Sequence, residues 1–342
     1  MPEKAEGEQV MRVLITGGAG FIGTHLCEAY LKQGDEVYLV DNLSTGSLDN
    51  IKRLQALPES RDRLYVTVDT ILNYKRMSEL ISVCDIVIHL AAAVGVRYIL
   101  DHPLESIVVN VRGTDIILDL CNKFKKKVLI TSSSEVYGKH NEAPLAEDDD
   151  IVYGPSSRFR WSYAGSKLMD EFFGLGYYAT YKLPVILVRL FNTVGPYQTG
   201  QYGMVIPRLV KQALQNEPIT VYGDGTQTRT FTHVNDVIFS IMRLIETPEA
   251  VGEVINIGGD EEISILKLAE RIKEKIGSSS EIKLLPYEQV FPKNFEDMPR
   301  RVPSLEKLYR LIQFKPTKKL DEILDDAISY QKGIKSISNV LL

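Results

Sequence analysis

Cysteine is scarce: there are three in 342 residues, Cys27, Cys84 and Cys121, with no C-x-x-C pair among them. An odd, dispersed set excludes a disulfide framework and points to reduced thiols in a reducing compartment such as the cytoplasm. Positive charge is not in excess. With 40 Lys and Arg against 45 Asp and Glu, the formal net charge is −5, which speaks against a general nucleic-acid binder. No apolar run reaches the roughly 20 residues that a membrane-spanning helix needs, so no membrane partner is expected. The five histidines and the cysteines form no group with metal-ligand spacing, so no metal is expected. Asp148–Asp150 reads as solvated charge. The opening MPEKAEGEQV is polar and acidic; it reads as a flexible tail, 1–10, and not as a signal peptide.

Apolar residues make up 44% and charged residues 25% of the chain, as in an ordinary globular protein with a sizeable core. Continuous apolar runs at 12–17, 36–41, 64–69, 85–91, 127–133 and 184–190 predict strands buried on both faces. Helical patterns alternate with them, at 24–34, 74–82, 103–124 and 164–181. That rhythm predicts an α/β fold with a doubly wound parallel sheet of the Rossmann kind. After Phe191, Gly and Pro become denser, and the pattern predicts a strand at 252–259, a helix at 265–276, a strand near 281–285 and a closing helix at 319–332. The expected division is a dinucleotide-binding domain, 11–190 plus about 228–258, and a smaller mixed α/β substrate lobe, about 191–227 plus 259–342.

The first strand runs into Gly17-x-x-Gly20-x-x-Gly23, and a helix is expected to begin near Phe21 and Ile22. Glycine there permits a tight turn and lets a pyrophosphate approach the amides. The helix start offers free N–H groups and the positive end of a dipole. The second strand ends in Asp41, followed by Asn42. A carboxylate at that place accepts hydrogen bonds from a ribose diol and repels a 2′-phosphate, so NAD is expected over NADP. Asp69, ending the third strand, is either an adenosine neighbour or a loop cap.

The fifth strand ends in SSSEVYG, 132–138, and SYAGSK follows, with Tyr163 and Lys167 four residues apart on one expected helix face. A free phenol is ionised at about one part in a thousand at neutral pH. A neighbouring ammonium favours the phenolate, so Tyr163 could take a proton from a hydroxyl while hydride leaves the same carbon.

TGGAGFIG, HLAA (89–92), SSSEVYG, YAGSK, RLFNTVGP (189–196) and RTFTHVNDV (229–237) together resemble the extended short-chain dehydrogenase/reductases that modify nucleotide sugars. The resemblance implies a tightly held NAD recycled within each turnover, and a homodimer through a four-helix bundle that includes the Tyr163 helix. It implies cofactor contacts from Gly17, Gly20, Phe21, Ile22, Gly23, Asp41, Asn42, Asp69, Ala91, Tyr163 and Lys167. It places Ser133 at the reacting oxygen, and Ser134, Asn192, Arg229 and Arg301 at the nucleotide sugar. Asn110 matches an asparagine that supports the lysine, or is a packing residue.

Oxidation at C4 opens several reactions. In this family dehydratases carry Thr-Asp-Glu before VYG; here the triplet is Ser133-Ser134-Glu135, without the aspartate. UDP-glucuronate decarboxylases carry Thr-Ser-Glu, one methyl group away. RWSYAGSK and RRVPSL (300–305) resemble segments of such decarboxylases, with Arg301 at the substrate carboxylate. AAAVGVRYILDHP (91–103) is closer to UDP-sugar 4-epimerases. The first reading is decarboxylation of UDP-glucuronate to UDP-xylose, with Tyr163, Lys167, Ser133 and Glu135 in the catalytic group. The alternative is a UDP-sugar 4-epimerase; a 4,6-dehydratase and a non-catalytic NAD-binding regulator are minor alternatives. The 139–162 connection is long, and connections of that length often act as lids; Trp161, just before the Tyr163 helix, either lines the pocket or packs in the core.

Overall fold

The computed structural model describes residues 9–140, 142–200, 204–291 and 296–333. Most of the expected 1–10 tail therefore lies outside the described residues.

The apolar runs form the strands β1 (Arg12–Thr16), β2 (Glu36–Asp41), β3 (Leu64–Val68), β4 (Ile86–His89), β5 (Lys127–Ser133) and β6 (Val185–Leu190), and Val254–Ile257 adds a seventh. The sheet order is Val254–Ile257, β6, β5, β4, β1, β2, β3, and every neighbouring pair is parallel. Winding reverses between β1 and β4. A crevice opens at the carboxyl ends of the strands where such a sheet changes direction.

Alternate residues of each strand feed two separate cores. Val13, Ile15, Leu39, Ile88 and Leu129 pack against helix α1 (Phe21–Lys32) and the helix Val234–Glu246. Leu14, Val40, Val87, Val128 and Ile130 pack on the other face, against the helices Tyr74–Val83 and Gly113–Phe124. Each fully buried aliphatic side chain contributes about 1.5–3 kcal/mol, which is why these runs show no polar alternation. Leu308, on the helix Glu306–Ile312, joins the first of these cores.

A second body packs the helices Val205–Leu214, Ile265–Ile276 and Leu320–Gln331 around a further apolar cluster. Its strands are short: Ile219–Tyr222 pairs with Ile282–Leu285, and Thr228–Thr230 lies between Glu262–Ser264 and Arg300–Arg301.

The 103–124 pattern is helical throughout, with αR backbone at both joints of a π turn, Val108–Arg112, that lies between Pro103–Ile107 and Gly113–Phe124. The 139–162 connection is anchored at Leu145. Leu145 is buried, its N–H donates to Val302 O at 2.7 Å, and its carbonyl accepts from Ser304 N–H at 2.8 Å.

Candidate active site

A cleft of about 1040 Å³ runs along the carboxyl ends of the strands and under the smaller body. Sequence-selected residues from nine segments line it: Gly17, Gly20, Phe21 and Ile22; Asp41 and Asn42; Asp69; Ala91; Ser133, Ser134 and Glu135; Tyr163 and Lys167; and, each from its own segment, Asn192, Arg229 and Arg301. Gly23 does not line it. A Cβ on Gly23 would come within 2.2 Å of Gly17 O, so Gly23 lets α1 press onto the turn.

The glycine turn fits a dinucleotide pyrophosphate. Gly17 has φ +72°, and a Cβ there would stand 2.9 Å from Ala91 N. Helix α1 begins at Gly20 with no side chain capping its N–H groups and no acidic residue in its first turn. Its dipole end and amides therefore face the cleft uncovered. Asp41, at the end of β2, accepts from Ala19 N–H at 3.0 Å and Leu43 N–H at 2.8 Å. Burial raises its pKa, and these backbone donors oppose that rise. Asp69 is tied to Thr70 N–H and Asn73 Nδ2, at 2.7 and 2.8 Å, so it caps its loop while lining the cleft.

β5 ends in Ser133, whose hydroxyl accepts from Glu135 N–H at 3.2 Å and starts a tight turn over Ser134–Tyr137. The helix Ser162–Tyr181 brings Tyr163 across from it. Burial raises the Tyr163 pKa, and the Glu135 charge adds to the rise. The Ser133 hydroxyl opposes it. Lys167 is buried and its Nζ meets Asp170 Oδ2 at 2.7 Å. Asn110, buried in the π turn, accepts from Ala93 N–H at 2.8 Å and donates to Ser166 Oγ at 3.0 Å. It thus ties the Tyr163 helix to the loop after β4.

Glu135 lies between two guanidiniums. Arg301 Nη2 reaches its Oε1 at 2.5 Å, and Arg160 pairs with its Oε2. Burial alone would raise its pKa, yet Arg160 and Arg301 hold the carboxyl well below the usual range. Arg229 pairs with Asp297 at 3.1 Å and donates to Thr228 O at 2.8 Å. Asn192 Nδ2 donates to Thr230 O at 2.8 Å. Arg160, Arg229 and Arg301 against Glu135 and Asp297 leave one net positive charge here, which suits an anionic ligand.

Sequence reasoning quoted Arg160 only as part of a motif, and passed over Asp297 and Asp170. Arg160 precedes Tyr163 by three residues; that helical spacing was the available signal. Trp161 packs in the core beneath, with Nε1 donating to Glu296 at 2.8 Å. His233 accepts from Asn235 N–H at 3.1 Å and so caps the helix that follows. Among the described residues no cluster of His, Cys, Asp and Glu could hold a metal.

Comparison with known proteins gives the same picture. A family model described as GDP-mannose 4,6 dehydratase matches residues 14–327. The chain is 41% identical over 326 residues to UDP-N-acetyl-alpha-D-glucosaminuronate decarboxylase of Bacillus cytotoxicus, covering 95% of this chain and 99% of that one. It is 34% identical to UDP-glucuronic acid decarboxylase 4 of Arabidopsis thaliana, over 90% of this chain and 66% of the relative. Among solved structures, the UDP-glucuronic acid 4-epimerase of Bacillus cereus, in complex with UDP-glucuronic acid and NAD, superposes with a TM-score of 0.84 at 32% identity, covering 95% of this chain and 100% of that one.

Proposed function

Because the chain belongs to the GDP-mannose 4,6-dehydratase family of extended short-chain dehydrogenase/reductases, we propose that it decarboxylates a UDP-linked glucuronate through a 4-keto intermediate. It is an NAD-dependent enzyme of nucleotide-sugar modification. The observation that carries the decarboxylase reading is Glu135 held between Arg160 and Arg301 beside Tyr163. The relative at 41% identity puts a 2-acetamido sugar ahead of a 2-hydroxyl one.

Bound NAD supplies the hydride acceptor, and later the hydride donor, at C4. Gly17, Gly20 and the first turn of α1 would hold its pyrophosphate, and Asp41 would take the ribose. Tyr163 removes the C4 hydroxyl proton, and Ser133 steadies the oxygen from which it leaves. Arg160 and Arg301 orient the C6 carboxylate. With C4 a ketone, that carboxylate belongs to a β-keto acid. The C5–C6 bond breaks, CO2 departs, and the bond's electron pair passes through C5 to the C4 oxygen that Ser133 and Tyr163 hold; a proton taken up from solvent at C5 then restores the C4 ketone, which takes back the hydride and, at oxygen, the proton from Tyr163. Glu135, kept ionised by its two partners, orders the guanidiniums and is no proton donor. Arg229 and Asn192 lie where the diphosphate would run.

A 4-epimerase is the second reading, favoured by the likeness to the Bacillus cereus epimerase. Tyr163 and Ser133 would act alike, and Glu135 and its arginines would only bind the uronate. The test is incubation with UDP-N-acetylglucosaminuronate, UDP-glucuronate, UDP-glucose and UDP-N-acetylglucosamine without added NAD. Release of CO2 with a UDP-pentose supports the first reading; a C4-inverted product without gas replaces it with the second.

The apolar side chains Leu104, Met169 and Phe172 are exposed on two helices that pack together, Pro103–Ile107 and Ser162–Tyr181. This supports a homodimer in which two copies of that face form a four-helix bundle. Among the described residues no helix is long and apolar enough to cross a membrane, and all three cysteines are free and buried. These features support work in a reducing compartment, the cytoplasm.

A further inference from the structure

Tyr163, Lys167 and Asp170 follow at helical spacing along one face of Ser162–Tyr181. The third of them has no place in the chemistry above. Yet it is the more deeply buried partner of the lysine: the side chains of Lys167 and Asp170 are 3% and 0% exposed. Charged side chains are rarely buried so completely without a task.

We propose that Asp170 is a positioning residue for the reaction: its carboxylate anchors the ammonium of Lys167 behind Tyr163, and its charge sets how firmly Tyr163 keeps its proton. The inference rests on Tyr163 being the base of the proposed function.

The surroundings of Asp170 support this. Oδ2 receives Lys167 Nζ at 2.7 Å, while Oδ1 is buried with no hydrogen-bond partner among the described residues. Lys167 is thus the ionic partner of the carboxylate. Across from it, on the helix Gly113–Phe124, the Thr114 hydroxyl lies near enough to favour its charged form. Thr114 Oγ1 is in turn 3.2 Å from His89 Nε2, at the end of β4, and His89 Nδ1 is 2.7 Å from Thr16 Oγ1, at the end of β1. Burial, with Lys167 nearby, takes the His89 pKa down to about 3, so the ring is neutral. The adjoining Glu171 is occupied by Arg189, at 3.0 and 2.8 Å, and by Ser132. Lys167 is therefore the cation nearest to Asp170 in this layer. Two threonines and a neutral histidine tie the layer to the strand ends that carry the glycine turn.

A negative charge behind Tyr163 opposes loss of its phenolic proton. Removing it favours the phenolate. The test is Asp170→Asn in the NAD-loaded protein, read by ultraviolet absorbance of the Tyr163 phenolate. The reference is the same protein carrying Tyr163→Phe. The titration is expected to move about one pH unit lower, and the acid limb of kcat to follow, with KM little changed. Thr114→Val should move it the same way by less, and Thr114→Ser should restore it. This second series serves if Asp170→Asn does not fold. An unmoved titration, with or without a lower thermal midpoint, or a shift to higher pH, overturns the proposal. The absorbance titration needs no substrate. Failure of the functional reading would show separately, as absence of any product from the sugars tested.

Discussion

Glu135 is the residue whose surroundings most restrict what it can do. Two buried guanidiniums hold its carboxyl below the ordinary glutamate value, so its native pKa is depressed. A depressed carboxylate contributes stability that is complete above the unfolded value, about 4.3, and is lost as pH falls through the native value. Glu135→Gln should therefore unfold at a lower temperature by an amount that stays constant between about pH 5 and 8. The gap to the parent should close only in strongly acidic solution. The cost in the constant range is about 3–5 kcal/mol, because two buried cations lose their counter-ion. Thermal melts of the two proteins across pH check this. Tyr163→Phe is a different kind of change. It removes the phenolic oxygen and leaves the ring, so kcat should fall roughly 100- to 10,000-fold while the protein keeps its NAD, measured as nucleotide released on denaturation. Loss of NAD along with activity would mean that Tyr163 holds the cofactor and does no proton transfer.

At the scale of elements, the glycine turn between β1 and α1 carries the most consequence per residue. Gly17→Ala would force a side chain into φ +72° and against Ala91 N at 2.9 Å. The backbone term alone is about 1–2 kcal/mol, and relief by movement would displace the amides that face the cleft. The variant should purify with less NAD and melt lower, both read on the same sample. This turn was legible in the sequence because glycine is a local requirement. The six strands before Phe191 were legible for a similar reason: burial on both faces leaves uninterrupted apolar runs. What escaped did so for physical causes. The helix Val205–Leu214 carries Pro207 in its first turn, where proline is tolerated, and it follows a Gly- and Pro-dense stretch. The helix Val234–Glu246 is capped by His233, not by Ser, Thr, Asp or Asn, so its start carries no recognisable signal. The pairing of Arg160 and Arg301 on Glu135 joins three distant segments. The motifs brought Glu135 and Arg301 forward, but only packing shows that Arg160 completes the clamp.

At the scale of the whole molecule, one surface gathers large exposed apolar side chains. Leu104 and Phe172 are 73% and 61% exposed, on adjoining helices that also display Ile107 and Met169, with Val108 exposed at the start of the π turn. Contiguous exposed apolar patches of this kind mark association sites more often than bare surface. A stable interface buries about 1,200–2,000 Å² in total, with aromatic and large aliphatic side chains at its centre. The helix that presents Phe172 also carries Tyr163 and Lys167, so pairing two copies would brace the catalytic face from behind. Leu104→Glu combined with Phe172→Glu would set like charges against each other across a two-fold axis without touching the cleft. Sedimentation should then give a monomer where the parent gives a dimer. The monomer should also melt at a lower temperature, because the Ser162–Tyr181 helix loses the partner that covers it. Monomeric behaviour of the parent protein at micromolar concentration, or an unchanged mass in the double variant, would show that this face is covered by something else.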